Sequence, residues 1–296
     1  MDETFILLLL ADSNLPTGSF VASSGLESHT THGFLSLEPT KTEGTLAFVR
    51  DSLHSYAHSA LPFTSDAHGI VAALAQLGQD TQQALASLTA LDALYESMTV
   101  NHVARRASTA QGTALLALYA KAFSSTRSSS SAVMTALVDQ LKLATRRGDT
   151  YGHLPVCWGV LTAALGLSLG LCAVLTLLYN LSYPISGRAQ HLALFLHARS
   201  ILSAAVRLNT IGPYLSQQIL LMDIQPLVDG LVAQCCNLRS GLQVGLASSS
   251  KQDQRETDLD LDLDEGGHTT GPASTWPLGD IIAIRHDLQH SRIFNS

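Results

Sequence analysis

The chain has 296 residues, of which 46% are hydrophobic and only 14% charged, against about 25% charged in an average soluble protein. It is long enough for one large domain or two small ones, which rules out a disulfide-stapled mini-protein, and too apolar to be a disordered chain. The net charge of −7 is local: Lys251 to Glu265 holds two cationic and seven anionic side chains, which leaves the rest near neutral, without the basic stripe that nucleic acid binding requires.

Phe5 to Ala11 is an apolar run, but Asp2 and Glu3 precede it where a signal peptide needs positive charge, and Asp12 ends it. It reads as a buried first helix turn, not a leader. A structured turn follows, in which Pro16 fixes φ, Gly18 permits a left-handed conformation, Ser19 can cap a new helix, and Gly25 lies just beyond. Leu46, Val49, Leu53, Ala57 and Ala60 then make one apolar face on a helix after Thr42 and Glu43. Val100 to Phe123 has helix-forming composition throughout. Ser124 to Ser131, all Ser or Thr except Arg127, reads as a connector between helices.

No Asp, Glu, Lys or Arg occurs between Thr150 and Gly187, and Val156 to Leu178 is long enough to span a membrane. Gly166, Ser168 and Gly170 interrupt it, and its flanks lack the Lys and Arg excess that fixes orientation, so a buried helical hairpin is the favoured reading and an integral membrane protein the alternative. Leu192, Phe195, Leu196, Leu202 and Val206 mark a helix from about Arg188 to Leu208, ended by Gly212-Pro213, with another from Ser216. Ala247 to Ser274, with its alternating Asp and Leu from Asp258 to Asp264, reads as a solvated insertion. Beyond it, Trp276 to Ser296 regains an ordered pattern. Alternating β-branched and aromatic runs are nearly absent, so the fold class is all-α. The expected organisation is a single helical-bundle-like domain of roughly ten helices over 1–246, a flexible acidic insertion over 247–275, and a partner-binding tail over 276–296.

Candidate chemistry is mostly excluded. There is no Gly-x4-Gly-Lys-Ser/Thr loop for a nucleoside triphosphate, and no His-Glu-x-x-His motif for zinc. Ser23-Ser24-Gly25 lacks the preceding glycine and strand of a nucleophile elbow, which argues against a serine hydrolase. Cys157, Cys172, Cys235 and Cys236 form no Cys-x-x-Cys pair, and read as reduced thiols of a cytosolic protein. The pairs His29/His32, His54/His58 and His286/His290 have helical spacing, yet none has a completing Cys or carboxylate. A metal-dependent hydrolase is therefore a lesser alternative, and neither a metal nor another cofactor is expected.

Four ordered blocks carry a resemblance. Leu10-Ala-Asp-Ser-x-x-Pro-x-Gly-x-Phe-x-x-Ser-x-Gly-Leu-Glu27 comes first; Gly152-His-Leu-Pro-Val with Ala163-Ala-Leu-Gly-Leu is second. Ser203-Ala-Ala-Val-Arg-Leu-Asn-Thr-Ile-Gly-Pro-Tyr-Leu-Ser-Gln-Gln218 is third, and His286-Asp-x-x-His-Ser-Arg-Ile-Phe-Asn-Ser296 closes the chain. In this order they resemble the urease accessory protein UreF. The resemblance implies an all-helical, cytoplasmic, dimeric protein with no catalysis of its own. Such a protein binds UreD (UreH in some organisms) and recruits the GTPase UreG, so that nickel reaches urease apoprotein and GTP hydrolysis is modulated. It further implies partner contacts at Phe20, Glu27, His286, Arg292 and Phe294, with Pro16, Gly18 and Gly25 as turn residues. His290 stands where many bacterial members have Tyr, and the acidic insertion has no counterpart in compact bacterial versions. The tail, which follows that insertion, is expected to order when a partner binds.

Overall fold

A computed structural model describes residues 2–77, 80–124, 129–169, 187–242 and 271–295, and everything below concerns these residues. They form an all-α fold with no strand among them. The helices are α1 (Glu3–Leu10), α2 (Leu26–Thr31), α3 (Lys41–Leu77), α4 (Thr81–Met98), α5 (His102–Leu118), α6 (Ser129–Arg147), α7 (Leu154–Ala164), α8 (Arg188–Arg207), α9 (Pro213–Ile219), α10 (Gln225–Cys235) and α11 (Pro277–Ile284). Single π turns, Tyr119–Phe123 and Leu220–Ile224, extend α5 and join α9 to α10. Residues 170–186 and 243–270 lie outside the description, and with them the second half of the expected hairpin and nearly all of the acidic insertion.

At the centre lies α7, whose residues Pro155 to Thr162 are all buried. It packs against α3 and α5, while α8 packs along α3 and touches α7 through the Trp158 Nε1–H bond to the Ala189 carbonyl. The apolar face read from the sequence of α3 is the one that is buried: Val49, Leu53, Ala57 and Ala60 are all fully inaccessible. That helix does not stop near Ala60 but runs on through Pro62. Proline has no N–H to give back to the carbonyl four residues earlier. The carbonyl so released, that of His58, accepts instead from the Ala273 N–H at 3.2 Å. A helix irregularity thus becomes an attachment point for the chain leading into α11.

The start of α7 is held by one buried carboxylate. Asp92 of α4, 1% exposed, accepts from the Thr150 hydroxyl at 2.6 Å and from the backbone N–H groups of Tyr151, Gly152 and His153 at 2.8 to 2.9 Å. Donors at a helix N-terminus have no intrahelical partners, and a negative charge there also complements the helix dipole. Gly166, with φ at +78°, ends the helix where the sequence interruption was expected. No helix among the described residues is long and apolar enough to cross a membrane; within the candidate span, α7 ends at Ala164.

Two local readings differ from expectation, and one further contact was not foreseen. Helix α1 buries only Ile6 and Leu10, and leaves Phe5 and Leu8 65% and 68% exposed, so it is half-buried where a buried turn was expected. Gly212-Pro213 does not end α8. Asn209 does so in a left-handed conformation (φ 55°), with Thr210 N–H bonding back to the Ala205 carbonyl, and Pro213 instead opens α9 at a first-turn position where its missing N–H costs nothing. Ser168 donates from its N–H and hydroxyl to Glu3 of α1 at 2.8 and 2.9 Å, tying the chain start to the end of the α7 segment.

Replacing Asp92 with Ala removes the acceptor of four hydrogen bonds at once. The expected loss is about 3 kcal/mol or more, read as a lowered midpoint in urea denaturation with helicity retained at low denaturant. A change under about 0.5 kcal/mol, the range of an ordinary surface substitution, would contradict this role.

Candidate partner-binding site

The N-terminal turn and the C-terminal tail meet on one side of the molecule. Pro16 and Gly18 (φ +74°) turn the chain into the short 3-10 segment Ser19–Val21, for which Ser19 provides no side-chain cap. Helix α8 holds this turn from behind: Arg199 donates to the Ala11 carbonyl, and the Ser200 hydroxyl to the Ser19 carbonyl at 3.3 Å. Gly25 has φ +89°, and a Cβ placed there would lie 3.0 Å from the Ala283 side chain. Its absence lets α11 cross the start of α2.

Glu27 seats the tail. Its carboxylate is buried and accepts from the Ile293 N–H at 2.6 Å, the Phe294 N–H at 3.1 Å and His286 Nε2 at 3.1 Å. The Ser28 hydroxyl donates to the Ile282 carbonyl at 2.6 Å, and the Asn295 N–H to the Val21 carbonyl at 2.9 Å. The tail is therefore folded onto the body in the single chain, which revises the expectation that it orders on binding. The reason is that a buried carboxylate without these donors would be uncompensated.

Burial separates the five expected contact residues into two groups. Glu27, His286 and Phe294 lie inside, with His286 fully inaccessible and Phe294 at 2%. Phe20, at 64%, and the partly exposed Arg292 side chain reach solvent. Two residues that the sequence did not single out complete the arrangement. The Arg207 guanidinium of α8 lies over both the Phe20 ring (3.9 Å to the centroid) and the Phe294 ring (4.3 Å), while its Nη1 donates to the Phe20 carbonyl. Its Nη2 is buried and has no partner among the described residues. Asp287 gathers Arg106 in a two-pronged pair at 2.9 Å, Arg292 at 2.9 Å and His102 at 3.1 Å. The Arg106 hydrogen bonds hold the Asp287 carboxyl well below the usual carboxylate range. Arg292 is thus anchored within the chain at one nitrogen and keeps donors exposed to solvent.

The histidine pairs do other work. His29 packs against Phe34, Phe48 and Trp276, His58 turns to the His54 carbonyl and faces Cys235 at 3.8 Å, and His286 pairs with Glu27 while His290 is exposed. Among the described residues, no group of three or more His, Cys, Asp or Glu is placed to hold a metal ion.

Truncating the Glu27 carboxylate, in Glu27→Ala, should free the tail without melting the bundle. Limited proteolysis should then cut after Arg285 or Arg292 much faster than in the parent chain, with helicity almost unchanged; equal cutting rates would contradict the seating role. Burial also pushes His29 and His197 down from 6.5 to about 4. The unfolded chain takes up these protons first, so stability is full above pH 6.5 and declines as pH falls toward 4. His29→Phe should flatten part of that decline in thermal melts; an unchanged acid slope would contradict it.

Comparison with known proteins finds relatives along the whole chain. The UreF family model matches residues 40–187. "Urease accessory protein 6" of Cryptococcus neoformans var. grubii is 36% identical, over 99% of this chain and 97% of its own length. An "Uncharacterized urease accessory protein UreF-like" of Schizosaccharomyces pombe is 28% identical over the same shares. "Urease accessory protein F" of Oryza sativa subsp. indica is 29% identical over 69% of this chain and 62% of its own. This chain belongs to the UreF family of urease accessory proteins.

Proposed function

We propose that the protein is a cytoplasmic, dimeric adaptor in urease maturation, bridging UreD and the GTPase UreG so that nickel is delivered to urease apoprotein, and modulating GTP hydrolysis by UreG. The nucleotide chemistry belongs to UreG, since this chain has no phosphate-cradling loop. The observation that carries the reading is the meeting of Phe20, Arg207 and Phe294, drawn from three distant parts of the sequence, where the tail is seated by buried Glu27, with Arg292 exposed on the same tail.

A bridge needs two surfaces, and the seated tail offers both. On one side stand the Phe20 ring and the arginine donors, aromatic and cationic chemistry of the kind that dominates protein interfaces. On the other, α11 presents Leu278 and Ile281, 49% and 61% exposed, beside Val100 at 80%. The Asn101 side chain, donating to the Asp280 carbonyl, places that loop next to α11. We assign the arginine surface to UreG and the apolar surface to UreD.

Co-expression with UreD and UreG followed by size-exclusion chromatography tests the assignment. Arg292→Ala and Phe20→Ala should lose UreG and keep UreD, whereas Ile281→Asp should lose UreD, each with helicity retained. Loss of the opposite partner would reverse the assignment, and full complexes with all three variants would overturn the adaptor surface.

A further inference from the structure

Away from the seated tail's outer surface, three separate elements bring a serine, a histidine and a carboxylate into line. Glu96 of α4 accepts from His153 Nε2 at 2.8 Å. The other ring nitrogen, Nδ1, faces the Ser108 hydroxyl of α5 at 3.2 Å. Arg105 pairs with the second Glu96 oxygen at 2.9 Å. His153 is fully buried, and the Tyr95 ring packs edge-on against it at 4.9 Å.

The directions of these bonds are set by what each atom can do. An ionised Glu96 only accepts, so the imidazole proton sits on Nε2 and Nδ1 offers a lone pair. The Ser108 oxygen accepts from the Leu154 N–H at 3.0 Å. In the reactive arrangement its own proton points to Nδ1, while the Tyr95 side chain is a second hydrogen-bonding neighbour of the same hydroxyl. This is the relation of nucleophile, base and orienting acid found in acyl-transfer enzymes, recognised by role rather than by sequence position. Ser108 also lines a cavity of about 550 Å³, together with Gln111, Leu115, Leu154 and Trp158. That is a volume suited to a small molecule. Gln111 stands one helical turn from Ser108, on the same face of α5.

We propose that Ser108, His153 and Glu96 form a latent acyl-transfer site that accepts small carboxylic esters with an apolar acyl group. The Ser108 oxygen bonds to the ester carbonyl carbon as its proton passes to His153 Nδ1. The bond to the alcohol oxygen then breaks, and His153 returns the proton to the departing alcohol. Water adds to the acyl-serine, giving one proton through His153 back to Ser108 and releasing the carboxylic acid. Glu96 holds the ring throughout. Gln111 supplies the amide donor toward the carbonyl oxygen as charge develops there. The apolar walls set the acyl preference. The serine, histidine and carboxylate lie outside the two adaptor surfaces, while the cavity they open to is also lined by Phe20, Arg207 and Val100.

The test uses the full chain, labelled with a fluorophosphonate probe and mapped by mass spectrometry, alongside hydrolysis of p-nitrophenyl acetate and butyrate. The expected result is one adduct, on Ser108, with ester hydrolysis lost in Ser108→Ala. In Glu96→Gln, checked for retained helicity, labelling should slow by about 100-fold, as expected when a base loses its orienting partner. Ser52 provides the comparison: it contacts His197 at 2.9 Å in the same cavity, and Ser52→Ala should label at the parent rate. The proposal is overturned by an absence of adduct on Ser108, or by labelling of Glu96→Gln at the parent rate, either of which would leave Ser108 as a cap for the Leu154 N–H alone.

Discussion

The Glu27 carboxylate joins the two ends of the chain. Hydrogen bonds to a charged acceptor are each worth about 1.5 to 3 kcal/mol net, and Glu27 accepts two backbone N–H groups and an imidazole from the last ten or so residues. Without them its burial would be prohibitive; with them the tail is fixed in register, because backbone donors at Ile293 and Phe294 can meet those oxygens in only one alignment. From this follow the burial of Phe294, the placing of its ring on Arg207, and the exposure of Phe20 over the same guanidinium. The surface we assign to UreG is in this sense a by-product of one buried charge.

The same device recurs wherever a helix must start or a segment must attach without a sheet to organise it. Asp92 gathers the donors ahead of α7, Glu3 gathers those of Ser168 together with Arg188, and Asp66 takes the N–H and hydroxyl of Ser240. In a chain with so few charged residues, these carboxylates fix the joints while the apolar faces of α3, α7 and α8 supply the bulk of the burial. Even the proline in α3 fits this logic, since its unmet carbonyl is the one that receives the segment leading to α11.

Much of the fold was legible in the residues. The 3.6-residue period identified the buried face of α3 and the course of α8, and Gly166 marked the end of α7 because a left-handed turn favours glycine. The errors came where tertiary contacts override local signals. Gly212-Pro213 reads as the end of α8, but Asn209 ends it although nothing in its neighbours announces a left-handed residue. The sites were less legible. Phe20 and Arg292 could be proposed from the blocks they occupy, but Arg207 sits among ordinary helix residues and acquires meaning only when α8 brings it under two rings. Ser108, His153 and Glu96 are likewise scattered over three elements with no motif between them, which is why the absence of a nucleophile elbow said nothing about them.

The account stands on the tail being seated in the free protein. Hydrogen exchange followed by mass spectrometry, on the isolated chain and in peptides covering 285–295, measures this directly. The amides of Ile293 and Phe294 should exchange slowly, at rates set by tail release, and should become fast when Glu27 is replaced by Ala. Fast exchange of both amides in the parent chain, slowing only when a partner is added, would show that the tail is ordered by binding and would contradict the central role given to Glu27.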